Sequence, residues 1–325
     1  MIAVRDIRRL IAAVFLLVFA ANSASAQSYP NRPVRIVVSN PAGGTSDLLA
    51  RIVARGLQAR FNQSFVVENR PGASGLLSTE ATVKAPADGY TLLVANEQPI
   101  TILPSFRRDL PFDPEVALAP ITMLASMPFF VVARADLGAN SIADLVRIAK
   151  AKPGALNYGS TGQASASELA TELFNSVAGI KMVHIPYQGG PKALMSVLSG
   201  ESDVFLSVPT TALPLIGSEK LKFLGITSRQ RNAKAPNIPT LMEQGFANFE
   251  TGSWFGMLAP SGIPRDTLDL LQRETVALMR GPEAQKLADV QGANLILNTP
   301  AEFAAAIRED VAKWKKLAST LNLKM

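Results

Sequence analysis

Short apolar runs alternate with longer segments of helical periodicity along most of the chain. The runs are rich in β-branched and aromatic residues, which predicts strands near residues 34–39, 65–68, 91–95, 121–124, 129–133, 182–186, 204–207, 223–227 and 253–258. Strands that alternate with helices are typical of layered α/β folds. We therefore predict an α/β architecture.

Three segments carry apolar side chains at helical spacing, so that each would bury one face against a sheet. A helix over residues 46–60 aligns Leu49, Ile52, Val53 and Leu57, a second aligns Leu169, Leu173, Phe174 and Val177, and the last aligns Phe303, Ile307, Val311 and Trp314.

The amino terminus has the pattern of a cleavable secretion signal. Arg5, Arg8 and Arg9 precede an apolar run over residues 10–21, and small residues follow up to Ala26. The run is shorter than the roughly 20 residues of a membrane span. We predict a signal peptide over residues 1–26, cleavage before Gln27 and a periplasmic protein. The chain contains no Cys, so no amino-terminal lipid anchor is expected.

Cleavage would leave about 299 of the 325 residues, which suits two domains. No long linker separates them, so we expect the chain to cross between lobes in extended segments near residues 125–128 and 249–255. The first lobe would comprise residues 27–126 and 251–325, and the second residues 127–250. Two crossing segments would form a hinge.

Charge and composition narrow the possible ligands. The formal charge of +6 comes from scattered basic residues, which argues against nucleic-acid binding and is compatible with an anionic ligand. With one His and no Cys, we expect no metal site, and no cofactor motif is present. We expect a monomer.

A glycine-rich turn follows the first predicted strand and leads into a helix. Glycines allow close approach of a ligand to the backbone, and helix-start amides attract negative charge. Ligands of open α/β sheets bind at this end of the strands. The turn lacks the residues of a phosphate-binding loop, and a plain capped turn is the alternative. The candidate ligand-binding residues here are Ala42, Gly43, Gly44, Thr45 and Asp47.

A second turn of this kind, over residues 157–165, precedes the helix that carries Leu169. Two such turns, one in each lobe, could face each other across a cleft. Tyr158 stands where a nucleophile elbow requires Gly, so the turn is not that motif. The candidate residues in this turn are Ser160, Thr161, Gly162, Gln163, Ala164 and Ser165.

Three further candidates lie at predicted strand ends. Asn96 and Glu97 follow a strand and could enter the cleft, although Glu97 could equally be a solvated loop acid. Ser207 ends another strand. His184 is expected to be a structural hydrogen-bonding residue rather than a base.

The chain resembles the extracytoplasmic solute receptors of tripartite tricarboxylate transporters, called Bug proteins after the Bordetella uptake genes. The similarity spans nearly the whole mature chain. It is carried by short sequence motifs: YPNRPVRIVV at residues 29–38, AGG at 42–44 with Asp47, VENRPGA at 67–73, DGYTLL at 88–93, HIPY at 184–187, IPT at 238–240 and WFG at 254–256.

This resemblance implies a two-lobed, type II periplasmic-binding-protein fold that closes like a Venus flytrap. It also implies a carboxylic acid, amino acid or aromatic acid ligand whose carboxylate is held by the two helix-start turns, partly through water, and membrane permease subunits as partners. Ala164, Ser165 and Glu168 stand where family members often have Gly, Thr and His.

We therefore expect a transport receptor rather than an enzyme. A sensor subunit that presents its ligand to a membrane kinase would need the same cleft, and a hydrolase would need a base beside Ser160, which the sequence does not indicate. We also expect the amides of Gly43 and Gly162 to approach the ligand carboxylate, so that replacement of either by Val would weaken binding without disturbing the fold.

Overall fold

A computed structural model of the chain describes residues 29–107, 109–163 and 165–320. The predicted signal peptide and Ala164 lie outside the described residues. Within them, no helix is both long enough and apolar enough to cross a membrane.

The strands form two sheets, in the orders β11-β4-β10-β3-β1-β2 and β7-β6-β8-β5-β9. Their bounds are β1 Val34–Val38, β2 Phe65–Asn69, β3 Thr91–Asn96, β4 Leu118–Pro128, β5 Phe130–Arg134, β6 Asn157–Ser160, β7 Val183–Pro186, β8 Val204–Ser207, β9 Leu221–Ile226, β10 Gly252–Pro260 and β11 Asn294–Leu295.

Helices cover both sheets. Their bounds are α1 Thr45–Phe61, α2 Leu76–Val83, α3 Leu103–Phe106, α4 Pro114–Ala117, α5 Ile142–Ala151, α6 Ala166–Ala178, α7 Gly190–Ser199, α8 Pro209–Ala212, α9 Arg265–Met279, α10 Pro282–Gln291 and α11 Pro300–Thr320, with a π-helical turn at Gln98–Ile102. The predicted α/β fold class is confirmed.

The six-stranded sheet is the centre of the first lobe. β1 pairs in parallel with β2 and β3, whereas β10 runs antiparallel to both β3 and β4. The apolar stripe of α1 packs on one face, where Leu49, Val53 and Leu57 join Ile36 and Leu92 in the core. The sequence pattern of α1 therefore predicts the buried face of this helix.

The five-stranded sheet is the centre of the second lobe. β6 pairs in parallel with β7 and β8, and β5 runs antiparallel to β8 and β9. Phe174 of α6 packs with Tyr158, Leu206 and Phe249 in its core. The carboxyl ends of β6, β7 and β8 consequently share one edge of the sheet.

The chain passes between the sheets twice, and the two passages run side by side. β4 leads into β5 through Phe129, and the chain returns to β10 at Gly252, which pairs with Pro128. The Thr227 hydroxyl accepts a hydrogen bond from the Phe129 amide at 2.8 Å and donates to the Thr251 carbonyl. The two crossings predicted from sequence therefore form one hydrogen-bonded hinge.

Candidate functional site

The turn between β1 and α1 is organised by two side chains. Asn40 Oδ1 accepts hydrogen bonds from the hydroxyls of Ser39 at 2.9 Å and Ser46 at 2.8 Å, which ties the strand end to the helix start. Asp47 Oδ2 accepts from the Gly43 amide at 2.9 Å and from Arg51 Nε at 2.9 Å. The turn therefore has a fixed shape before any ligand is considered.

Asp47 is a buried acid whose charge is balanced locally. Its burial would raise its pKa, but the hydrogen bonds from Arg51 and from the Gly43 amide outweigh burial and hold the pKa below its usual value. An ionised Asp47 is paired with the Arg51 guanidinium and lies in the first turn of α1, where the helix dipole stabilises negative charge. Asp47 therefore adds little net negative charge to the turn.

The start of α1 is open. Its N-cap residue is Gly44, which supplies no side-chain cap for the first-turn amides. Gly43 has a φ of +83°, and a Cβ placed on it would meet nothing within 4 Å. Ala42 and Gly43 are exposed, and Gly44 and Thr45 are half-buried. This part of the turn is therefore accessible from solvent.

The turn between β6 and α6 is closed on itself by hydroxyl groups. The Gly162 amide donates to Ser160 Oγ at 3.2 Å, and the Thr161 amide donates to Ser167 Oγ at 3.0 Å. Ser165 is the N-cap of α6, and its hydroxyl accepts from the Glu168 amide at 3.3 Å. Thr161 and Gln163 are exposed at the surface of this turn.

His184 lies beside Ser160, which corrects the expectation that this serine has no base nearby. His184 Nε2 is 2.6 Å from Ser160 Oγ, and His184 Nδ1 is 3.2 Å from Glu168 Oε1. The Ser160 side chain is fully buried, and its oxygen is also 2.9 Å from the Gly162 carbonyl. This enclosure leaves no approach for the carbonyl carbon of a substrate, so the three residues do not form an accessible nucleophilic site.

Glu97 is buried at the hinge, so the alternative of a solvated loop acid is wrong. The side chain is 1% exposed and ties the end of β3 to β10. Its carboxylate accepts from the Ser253 hydroxyl at 3.0 Å and from the Trp254 amide at 2.9 Å. Burial raises the pKa of Glu97 to about 7.

The two lobes touch on both flanks of the predicted cleft. On one flank, Gly292 of the first lobe abuts Pro209 at the carboxyl end of β8. The neighbouring Gln291 accepts a hydrogen bond from the Thr45 hydroxyl at 3.3 Å within the first lobe. On the other flank, Ile102 and Leu169 share a buried cluster with Trp314 and Leu317 of α11. These contacts draw the strand ends of one lobe toward those of the other.

The remaining candidates lie at the expected strand ends. Asn96 ends β3 and is half-buried. Ser207 ends β8, but it is fully buried and its hydroxyl donates to the Val208 carbonyl at 3.3 Å.

The two glycine amides predicted to face a ligand are already hydrogen-bonded, to Asp47 and Ser160. In addition, Gly43 and Gly162 have φ of +83° and +136°, where a residue with a side chain is strained. Replacement by Val would therefore disturb the protein itself, contrary to the sequence-based expectation.

Sequence reasoning missed the side chains that support these turns. The spacing of Asp47 and Arg51 in one helix could have revealed their ion pair, and Ser165 with Glu168 could have been recognised as a capping-box pattern. No local signal connects His184 to Ser160, because the parallel register of β6 and β7 creates that contact.

Comparison with known proteins agrees with this architecture. The family model of the tripartite tricarboxylate transporter family receptor matches residues 49–323. Protein BugT of Bordetella pertussis is 32% identical over 313 residues, which are 95% of this chain and 96% of that protein.

Two solved structures share the fold. The structure of R. palustris Rpa4515 with adipate has a TM-score of 0.73 and is 30% identical in sequence, and the match covers 90% of this chain and 98% of the Rpa4515 chain. The periplasmic binding protein BugD has a TM-score of 0.70 and 30% identity, with coverage of 90% and 98%. The two-lobed fold and these matches together show that this chain belongs to the tripartite tricarboxylate transporter receptor family, a family of periplasmic solute-binding proteins rather than of enzymes.

Proposed function

We propose that this chain captures a small carboxylate in the cleft between its lobes and delivers it to the membrane permease of a tripartite tricarboxylate-type transporter. The proposed lobes are residues 27–126 with 251–325, and residues 127–250. Residues 1–26 would direct export and then be cleaved off, and the mature protein would act in the periplasm as a monomer without a lipid anchor.

The open start of α1 is the observation that carries this proposal. The first-turn amides of a helix lack partners within the helix and carry its positive dipole end, so they favour a carboxylate. Gly44 supplies no cap, and a Cβ added to Gly43 would meet nothing within 4 Å, so the space on that side of the turn is open. Because Asp47 and Arg51 balance each other, the turn presents these amides without opposing net charge.

The ligand-facing donors are therefore the first-turn amides of α1 and the exposed surface of the β6–α6 turn. The proposed ligand-binding residues remain Ala42, Gly43, Gly44, Thr45, Asp47, Asn96, Glu97, Ser160, Thr161, Gly162, Gln163, Ala164, Ser165 and Ser207. Four of them are buried and would support the exposed residues of the site: Asp47, Glu97, Ser160 and Ser207. Adipate bound to the relative Rpa4515 supports a linear dicarboxylate as the first ligand to test.

A panel of dicarboxylates, amino acids and aromatic acids, tested by thermal unfolding and calorimetry, would examine the proposal. A true ligand at about 100 times its dissociation constant should stabilise the protein by about 2.7 kcal/mol. If no member of the panel changes the unfolding midpoint or releases heat, carboxylate capture is wrong.

Two alanine variants would locate the site. Gly43→Ala and Gly138→Ala both place a side chain at positive φ, +83° and +76°, with nothing within 4 Å of the added carbon. Each should therefore lose a similar amount of stability without ligand, about 1 to 2 kcal/mol. Gly138 follows β5, at the opposite end of the second sheet from the cleft. We expect only Gly43→Ala to weaken binding as well; equal affinities for the two variants would contradict the proposed site.

A further inference from the structure

Four groups form a continuous hydrogen-bonded chain under the β6–α6 turn. The Gly162 amide donates to Ser160 Oγ at 3.2 Å, and Ser160 Oγ lies 2.6 Å from His184 Nε2. His184 Nδ1 in turn lies 3.2 Å from Glu168 Oε1. This series of hydrogen bonds thus links a backbone amide of the turn to a carboxylate in the first turn of α6.

Packing holds the histidine in this orientation. The His184 ring stacks on Tyr158 with centroids 5.1 Å apart and an interplanar angle of 21°. The Tyr158 hydroxyl donates to Glu172 Oε1 at 2.6 Å, one helical turn beyond Glu168. Burial, together with Glu172 and Glu168, raises the pKa of Tyr158, so this phenol stays protonated. In these contacts, Glu168 and Tyr158 touch His184 directly, and Glu172 is linked to it through Tyr158.

The positions of the protons follow from the acceptors. Ser160 has one hydroxyl proton and two acceptors within reach, His184 Nε2 and the Gly162 carbonyl at 2.9 Å. An ionised Glu168 can only accept, so its contact requires a proton on Nδ1 of His184. In a neutral imidazole, Nε2 then carries the lone pair and accepts the Ser160 proton. The Ser160 oxygen is thereby left to accept from the Gly162 amide.

We propose that Glu168 and His184 are positioning residues that fix the Ser160 hydroxyl and, through it, the Gly162 amide in the second ligand-binding turn. The geometry of these hydrogen bonds supports the positioning role without any ligand. The effect of this positioning on ligand affinity rests on the proposed function. Without the Glu168 acceptor, the imidazole proton would be free to move to Nε2. Ser160 would then donate to the Gly162 carbonyl and accept from both His184 Nε2 and the Gly162 amide. The turn could therefore adopt either of two hydrogen-bond patterns instead of one.

The position of the proton can be observed directly because His184 is the single histidine of the chain. Long-range ¹H–¹⁵N correlation spectra of the untagged mature protein, recorded across a pH titration, report which ring nitrogen is protonated. We expect the neutral ring of the wild type to carry its proton on Nδ1. A neutral ring protonated on Nε2 would overturn the proposal, whatever the ligand.

Three variants on α6 separate positioning from charge. Glu168→Gln removes the charge but keeps an acceptor for Nδ1–H, Glu168→Leu removes both, and Glu172→Leu removes an acid that contacts Tyr158 rather than His184. We expect the Nδ1–H form to persist in Glu168→Gln and Glu172→Leu and to be lost in Glu168→Leu.

Affinity for adipate, measured by calorimetry, provides the second readout. We expect Glu168→Leu to weaken binding by about tenfold and the other two variants to stay within about threefold of the wild type. Equal losses in Glu168→Gln and Glu168→Leu would show a charge effect and contradict positioning. If adipate and the rest of the acid panel fail to bind the wild type, the proposed function is wrong, while the imidazole spectra still decide the role of Glu168. Should Glu168→Leu fail to fold, the wild-type spectrum and Glu168→Gln remain decisive.

Discussion

The carboxylate of Glu97 is buried at the end of β3, where it continues the pairing of that strand with β10. It accepts from the Ser253 hydroxyl and the Trp254 amide, and Asp310 adds a repulsive charge nearby. Burial is the larger effect and raises the pKa of Glu97 from 4.5 to about 7. A protonated Glu97 can keep the bond from Trp254 and donate its own proton to Ser253.

Stability should therefore depend on pH through Glu97. Between pH 4.5 and about 7, the folded protein holds a proton on Glu97 that the unfolded chain has released. The free energy of unfolding should therefore fall as pH rises through this range. The loss should amount to about 3 kcal/mol at most. Urea unfolding of the wild type and of Glu97→Gln at pH 5 and pH 8 would measure it, since the variant cannot titrate at this position.

Glu302 provides the matched control. It is exposed on α11, and hydrogen bonds from the Thr299 backbone and side chain lower its pKa. Glu302→Gln should follow the wild-type dependence between pH 5 and pH 8. If Glu97→Gln shows the same pH dependence as the wild type, Glu97 does not hold a proton in the folded protein.

Single residues were predictable from sequence where the determinant is local. The glycine turn before α1 was found because strand, glycines and helix are adjacent in the chain. The burial of Glu97 and the contact between Ser160 and His184 were not, since both depend on partners more than twenty residues away, at Ser253 and at β7. No periodicity or propensity encodes such contacts.

At the scale of elements, strands rich in valine, leucine and isoleucine were predicted near their observed positions. β6 was missed and assigned to a turn, because Asn157 and Gly159 disfavour strands. Its position between β7 and β8 supplies the hydrogen bonds that override these preferences. β11 was also missed, since its two residues carry no pattern.

The hinge offers a test with two threonines. Thr227 is fully buried, accepts from the Phe129 amide and donates to the Thr251 carbonyl. Thr227→Val should destabilise the protein by about 1 to 3 kcal/mol, because the buried Phe129 amide would lose its acceptor. Denaturant unfolding measures the change.

Thr251→Val is the control at the same hinge. The Thr251 hydroxyl is buried and finds no hydrogen-bond partner among the residues that the structure describes. Replacement by the isosteric valine should therefore leave stability unchanged or raise it slightly. Equal destabilisation by both variants would show that the Thr227 hydroxyl has no special role.

At the scale of the whole molecule, the contact between Gly292 and Pro209 is one of the places where the two lobes meet. Gly292 and Gly179 both end helices with almost the same φ, +61° and +62°, so alanine strains the backbone equally at both. A Cβ on Gly292 would overlap Pro209 of the other lobe, whereas one on Gly179 would meet nothing within 4 Å. Gly292→Ala should therefore separate the lobes, and Gly179→Ala should not.

Small-angle scattering of both variants checks this expectation. Gly292→Ala should have a larger radius of gyration than the wild type and Gly179→Ala the wild-type value. A bound carboxylate should restore part of the compact form, since closure around a ligand brings the lobes together. Identical scattering from all three proteins would show that this contact does not hold the lobes together.

The order of strands also determines how the chain can fold as it is made. All strands of the second sheet have been synthesised once Ile226 is present, whereas the first sheet lacks β10, between β3 and β4, until Pro260. A growing chain can therefore complete the strands of its second sheet while β4 of the first sheet is still separated from the group β3-β1-β2. Native closure of the first lobe must therefore await β10, which lies in the last quarter of the chain. This delay would favour the export proposed above, because a chain without a closed first lobe remains unfolded enough to be threaded through a membrane channel.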